Sequence, residues 1–216
     1  MVPHLYHMRR LVIKTIFWDF DGVIIDSMKI KGDGFIELFQ NHNLADVQML
    51  KEYHYTNGGI SRFDKIKYFY NEILNQEISN EKVLKLANTF SCIMRKKLFD
   101  RANLIQESLL FIEKNSTRYN FHIVSGSEHN ELSDLCKYLE IDKYFISING
   151  SPIKKDILVQ NIIKNFSYNK DEVILIGDSM TDYNAAKKNE IKFYGYNNIE
   201  LKKYGNYIKK FQDIEL

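Results

Sequence analysis

The chain has 216 residues, 44% of them hydrophobic, enough for one core of ordinary size or for a core with a smaller attachment. Its 30 Lys and Arg nearly balance 28 Asp and Glu, and the formal net charge of +2 gives no electrostatic reason to expect a nucleic-acid partner. No segment is apolar for long enough to span a membrane, because Lys14, Asp19 and Asp21 interrupt the most apolar region near the start.

In chain order, MVPHLYHMRRLVIK sets Arg9 and Arg10 before a short apolar run without a long hydrophobic region or a small-residue cleavage site, so a cytoplasmic protein is expected. Residues 11–18, rich in Val, Ile and aromatics, stop at a turn signal and predict a strand buried on both faces. From about Met28 to about Asp100 the pattern is helical throughout: Phe35, Leu38, Phe39 and His42, then Phe63, Ile66, Tyr70, Ile73 and Leu74, then Val83, Ala87, Phe90 and Met94. An all-helical block this long directly after a first strand predicts a second, smaller domain above the carboxyl edge of a sheet. Beyond it, helices at 104–114, 132–139, 157–166 and 181–189 alternate with strands at 121–127, 144–148, 173–179 and 192–196. That alternation implies right-handed βαβ units and an α/β, doubly wound, mostly parallel sheet of Rossmann type. The expected division is a core of residues 1–27 and 101–216 with a helical domain at 28–100. Cys92 and Cys136 both fall in helical segments and read as reduced, buried thiols. Lys202-Lys203 and Lys209-Lys210 read as solvated surface.

In an open parallel sheet, ligands bind beyond the carboxyl ends of the strands. Three of the strands end there in polar groups: Asp19 and Asp21, Ser125, and Asp178. Carboxylates converging in one cleft repel one another and lose solvation, a cost that a cation offsets. Oxygen-only donors point to a hard ion, and Mg²⁺, which binds through one or two carboxylates plus a phosphate, fits best. A carboxylate beside Mg²⁺ and phosphate is also a candidate nucleophile. Gly22, Gly126 and Gly177 adjoin these polar residues, so backbone can approach a ligand closely and offer amides to phosphate oxygens.

With these residues in order, the sequence resembles the haloacid dehalogenase-like hydrolase superfamily, in the helical-cap group that includes phosphoglycolate phosphatases and beta-phosphoglucomutases. DFDGV at 19–23 matches the first signature, Ser125 after a hydrophobic strand the second, a Lys in GSPIKKDIL the third, and VILIGDSMTDYNAA the fourth. The helical block lies where that family carries its cap. The resemblance implies that Asp19 attacks a phosphoryl group and that Asp21 protonates the leaving oxygen and then deprotonates water. It implies a magnesium site made by Asp19, the Asp21 backbone carbonyl and Asp178. Ser125, with Gly22 and Gly126, would receive phosphate oxygens, and Asp182 would steady the lysine or the metal's waters. Lys155, three residues after Pro152, is favoured over Lys154 as that lysine. In the cap, Arg62 and Lys65 follow a Gly-Gly turn, so they either contact an anionic or sugar-like leaving group or are solvated helix-surface charges. His42 and His54 are left as packing or surface residues. Hinges near Ser27 and Asp100 would let the cap close and expel water. The expected partner is a small phosphorylated metabolite, the expected activity phosphatase. A sugar phosphomutase is the enzymatic alternative, and a signalling or catalytically silent phosphoacceptor domain the alternative from another class.

Overall fold

The computed structural model describes residues 12–214 and 216; Arg9, Arg10 and the first residue of the expected strand, Leu11, lie outside them. Six strands form one parallel sheet in the order β3-β2-β1-β4-β5-β6. They are β1 (Thr15–Trp18), β2 (Asn120–Glu128), β3 (Ser147–Ser151), β4 (Val173–Gly177), β5 (Lys192–Tyr196) and β6 (Asn206–Ile208). β1 lies at the centre, paired in parallel with β2 through Trp18 opposite Ile123 and with β4 through Trp18 opposite Ile176. Strands built from TIFW and VILIG are buried along their whole length, which is why they read as continuous apolar runs rather than alternating ones. The chain order reverses direction across the sheet between β1 and β4, the point at which a doubly wound fold opens a crevice.

One strand expectation needs correction, and one strand was not expected. β3 begins at Ser147, not 144, because Asp142–Tyr144 form a turn of 3₁₀ helix. β6 is a three-residue edge strand, too short to show a periodicity.

Between β1 and α5 (Gln106–Asn115) stand α1 (Met28–Leu38), α2 (Leu44–Thr56), α3 (Arg62–Tyr68) and α4 (Asn80–Leu98), with a π-helical turn at Phe69–Ile73. Ser61 and Ser79 start α3 and α4 by accepting the backbone N–H of Asp64 and Lys82, the ordinary role of serine at a helix N-terminus. α4 buries Val83, Ala87, Phe90, Met94 and Leu98, the stripe its spacing predicts. Phe35 of α1 stacks on Phe90 at 4.4 Å, and Gly34 lets α1 approach so closely that a Cβ there would lie 2.2 Å from Met94 Cε. Cys92 lies on the exposed side of the same helix, correcting the expectation of a buried thiol, whereas Cys136 is buried. The remaining helices, α6 (His129–Tyr138), α7 (Lys155–Asn165) and α8 (Met180–Lys188), cover the sheet. Among the described residues no helix is long and apolar enough to cross a membrane.

Candidate active site

The acidic turn after β1 is built around Asp19. Its backbone N–H donates to Ile176 O on β4 at 2.9 Å, fixing the turn to the next strand. Asp19 Oδ1 accepts the Phe20 N–H at 2.7 Å and lies 2.8 Å from Lys155 Nζ. Asp19 Oδ2 is buried and has no partner among the described residues. Burial raises the Asp19 pKa well above the usual carboxylate value, the Asp182 charge adds to this, and Lys155 opposes it. Lys155 opens α7, is 6% exposed, and also pairs with Asp182, whereas Lys154 caps the helix and points to solvent. Burial works against the Lys155 charge, but Asp182 and Asp19 prevail and raise its pKa.

Asp178, at the end of β4, is held against the Asp19 turn: a Cβ at Gly22 would lie 2.1 Å from Asp178 Oδ2, and Gly22 has φ +77°. Only glycine meets both conditions. Burial, then the Asp182 charge, pushes the Asp178 pKa up to about 7. Carboxylate oxygens of Asp19, Asp178 and Asp182 lie within 4.8 Å of one another. The Asp182 oxygens are already engaged, one by Lys155 and the other by the Ser179 backbone N–H and hydroxyl. That leaves Asp19 Oδ2, buried and unpartnered, facing Asp178 as oxygen donors for a hard cation, so the residues fit Mg²⁺. Two asparagines outside the expected site support both turns: Asn197 donates to Gly22 O at 3.0 Å and Asn198 to Asp178 O at 2.8 Å.

Asp21 has a different environment. One carboxylate oxygen accepts from Ser27 Oγ and lies 2.5 Å from Lys31 Nζ, and the other accepts from Ser127 Oγ at 2.7 Å. Lys31 also donates to Ser127 Oγ at 2.7 Å. Burial alone would raise Asp21, but Lys31, Ser27 and Ser127 hold its pKa well below the usual range. Ser27, Lys31 and Ser127 were missed from the sequence. Their signals were an i, i+4 pair at the start of α1 and a period-two partner of Ser125 on β2. Ser125 itself is fully buried, and its hydroxyl accepts the Ser127 N–H at 3.0 Å.

The helical insertion closes on this site. Thr181 of α8 donates to Gly58 O, and a Cβ at Gly126 would lie 2.2 Å from Gly59 O. Arg62 and Lys65 are not solvated: they are 5% and 4% exposed. Arg62 makes a two-pronged pair with Glu131 of α6, at 2.5 and 2.9 Å, and donates to Ser91. It therefore ties α3 to α6 rather than offering a free charge to a ligand. Lys65 is 2.9 Å from His54 Nδ1, and both line a cleft with Asp21, Lys31 and Ser127. His42 packs against Phe39, Phe69 and Tyr70 instead.

Residues 16–196 match the profile of the haloacid dehalogenase-like hydrolase family. The chain belongs to that family. Among solved structures of this fold, a beta-phosphoglucomutase from Clostridium difficile superposes with a TM-score of 0.73 at 18% identity, over 95% of this chain and 94% of that one. A protein described as a predicted phosphoglycolate phosphatase from Haemophilus somnus gives 0.72 at 16% identity, over 93% and 96%. A haloacid dehalogenase-like family hydrolase from Streptococcus pneumoniae gives 0.69 at 18% identity, over 93% and 96%. No curated protein sequence matches the chain. At these identities the superpositions establish a shared haloacid dehalogenase fold, and the chemistry of this member has to be argued from its own residues.

Proposed function

We propose that the protein is a magnesium-dependent hydrolase of small phosphomonoesters that works through an aspartyl phosphate on Asp19. The observation that carries this reading is the unequal state of two carboxylates two residues apart. Asp19 keeps a buried, unpartnered oxygen beside Lys155, and Asp21 is held ionised by Lys31 and two serines. Divergent environments for neighbouring carboxylates suit divergent roles.

In the first half-reaction the Asp19 carboxylate attacks phosphorus, the bond to the leaving oxygen breaks, and Asp21 supplies that oxygen's proton. Asp21 is ionised in the resting site, but an arriving phosphate dianion places negative charge beside it and offsets Lys31, which draws a proton onto the carboxylate. In the second half, water attacks the acyl phosphate at phosphorus, Asp21 takes the water's proton, and inorganic phosphate departs from a restored Asp19. Lys155 offsets charge gathering on the nucleophile and the phosphoryl oxygens. The Ser125 hydroxyl and the Gly126 amide receive those oxygens, whereas the Gly22 N–H, expected from the sequence to join them, is donated to Ile25 O at 2.8 Å. Mg²⁺ would be held by the Asp19 and Asp178 carboxylates and the Asp21 backbone carbonyl, with Asp182 fixing Lys155 behind them. When bound, it supplies positive charge that lowers the repulsion between phosphate and carboxylates. Residues 28–100 act as a cap over a core of residues 1–27 and 101–216, turning near Ser27 and Asp100 to admit the ester and exclude water.

The test is phosphate release from a panel of phosphomonoesters with and without Mg²⁺, in the native protein and in Asp19→Asn. Magnesium-dependent release that the substitution abolishes is expected. Interconversion of sugar phosphates without net release would instead make the reaction a mutase.

A further inference from the structure

Gly126 also lines a second cleft, of about 470 Å³, which runs between the helical insertion and the core, with Ile60 on one wall and Pro152 and Ala185 on the other. Lys155, like Gly126 set on the phosphoryl oxygens by the proposed chemistry, lines it too, whereas Asp21 lines the cleft that holds Lys65. Phosphate freed at Asp19 therefore borders this second cleft through two of the groups that hold it. Three buried side-chain polar atoms lack a partner among the described residues: Trp18 Nε1, Asp19 Oδ2 and the hydroxyl oxygen of Ser151. Trp18 is packed among Phe111, Phe121 and Phe211, and Asp19 Oδ2 faces the cation site. Ser151, 2% exposed, lines the second cleft. A buried hydroxyl without a partner costs free energy that a ligand oxygen recovers. The N-terminus of α7 follows a few residues on. Its N-cap, Lys154, makes no side-chain cap bond, Ile157 and Leu158 donate back to Lys154 O, and the Lys155 N–H has no acceptor among the described residues. This end of a helix carries positive partial charge, to which the exposed ammonium of Lys154 adds. Both carboxylates nearby are engaged: Asp156 by Lys188, and Asp64 by the Ser61 hydroxyl at 2.7 Å.

We infer that this cleft holds a second anion site, separate from the one at Asp19, in which inorganic phosphate is received by the Ser151 hydroxyl, the Lys155 N–H and the Lys154 ammonium. The inference rests on the phosphatase reading for the source of that phosphate, which is the ion released at Asp19, and not for the site itself. A hydroxyl, a backbone N–H and an ammonium group suit the several oxygens of a tetrahedral oxyanion better than the two of a carboxylate. The cleft is wider than phosphate, so a few contacts hold the ion and it exchanges readily, as a departing product must.

The test is a titration of the full-length, isotope-labelled protein with sodium phosphate at constant ionic strength, followed by amide chemical shifts in the native chain, Ser151→Ala and Lys154→Gln. The Ile153 and Asp156 amides report the new site, and the Phe20 amide, bonded to Asp19 Oδ1, reports the one at Asp19. Saturating shifts at Ile153 and Asp156 are expected in the native protein. Ser151→Ala should raise the dissociation constant read there about tenfold, the worth of a hydrogen bond to a charged group. Lys154→Gln should raise it about threefold, since an exposed charge is screened. Neither should alter the response at Phe20. Both variants should fold as the native chain does, because Ser151 has no side-chain partner to lose and Lys154 is exposed. Acetate at the same ionic strength should bind at least about tenfold more weakly. No saturating shift at Ile153 and Asp156, a constant unchanged in both variants, or acetate binding as tightly as phosphate overturns the site. An equal loss at Phe20 overturns it too, because Ser151 and Lys154 would then belong to the site at Asp19. The titration involves no turnover, so failure to release phosphate from any ester would refute the phosphatase reading and leave this measurement decisive for the anion site.

Discussion

Lys154 and Lys155 differ by one position and by a full change of environment. A helix that begins at Lys155 turns that side chain inward between Asp19 and Asp182 and leaves Lys154 in solvent. Lys155→Ala should lower kcat/KM for phosphate release by about 10²-fold or more, with Lys154→Ala essentially unchanged. The same Lys155 substitution should cost about 3 kcal/mol in urea denaturation, because it strips buried carboxylates of their counter-ion. His54 gives a second check at this scale. Burial, then the Lys65 charge, lowers its pKa to about 3 from 6.5, so between those values the unfolded chain binds a proton that the native one does not. Stability therefore falls as pH drops through this window, by about 1–2 kcal/mol from pH 7 to pH 5 for this group. Urea denaturation at both pH values should show that loss reduced in His54→Asn. An undiminished loss would place the pH dependence elsewhere, beginning with His122, whose pKa burial lowers to about 4. The sequence exposed Asp19, Asp21 and Asp178 because each sits where an apolar strand stops. It did not expose Ser27 and Lys31, whose role arises only when α1 folds back over the end of β1.

Among the elements, the buried central strands were legible and the edges were not. β1 and β4 announce themselves by unbroken apolar runs. β3, SINGS, carries few apolar residues, and the aromatic pair just before it, Tyr144-Phe145, drew the expected boundary toward the N-terminus. α3 misled in another way. Its charged residues read either as contacts to a leaving group or as solvated surface, and the second reading fails because Arg62, Lys65 and Ile66, at i, i+3 and i+4, form one buried face. The Arg62–Glu131 pair that results joins α3 to α6. Arg62→Met and Glu131→Gln should each destabilise the protein, and the double variant should cost less than their sum by about 2 kcal/mol. Strict additivity in urea denaturation would mean that the pair does not hold the two elements together.

For the whole molecule, the alternation of strands and helices was sufficient to anticipate a doubly wound sheet, and the long helical stretch after β1 to anticipate an insertion. The closeness of their contact was not readable, because it depends on backbone meeting backbone at Gly59 and Gly126 and on Thr181 reaching Gly58 O. Those contacts bring Lys65 and His54, encoded far from the acidic turns, into the same cleft as Asp21. The chemistry proposed for that cleft turns on one covalent step. Native protein mixed with excess phosphomonoester and Mg²⁺, quenched rapidly in acid and mapped by peptide mass spectrometry, should carry one phosphoryl group on the peptide containing Asp19, and Asp19→Asn should carry none. Steady phosphate release with the phosphoryl group on another residue, or on none at every quench time, would contradict the assignment of Asp19 as nucleophile.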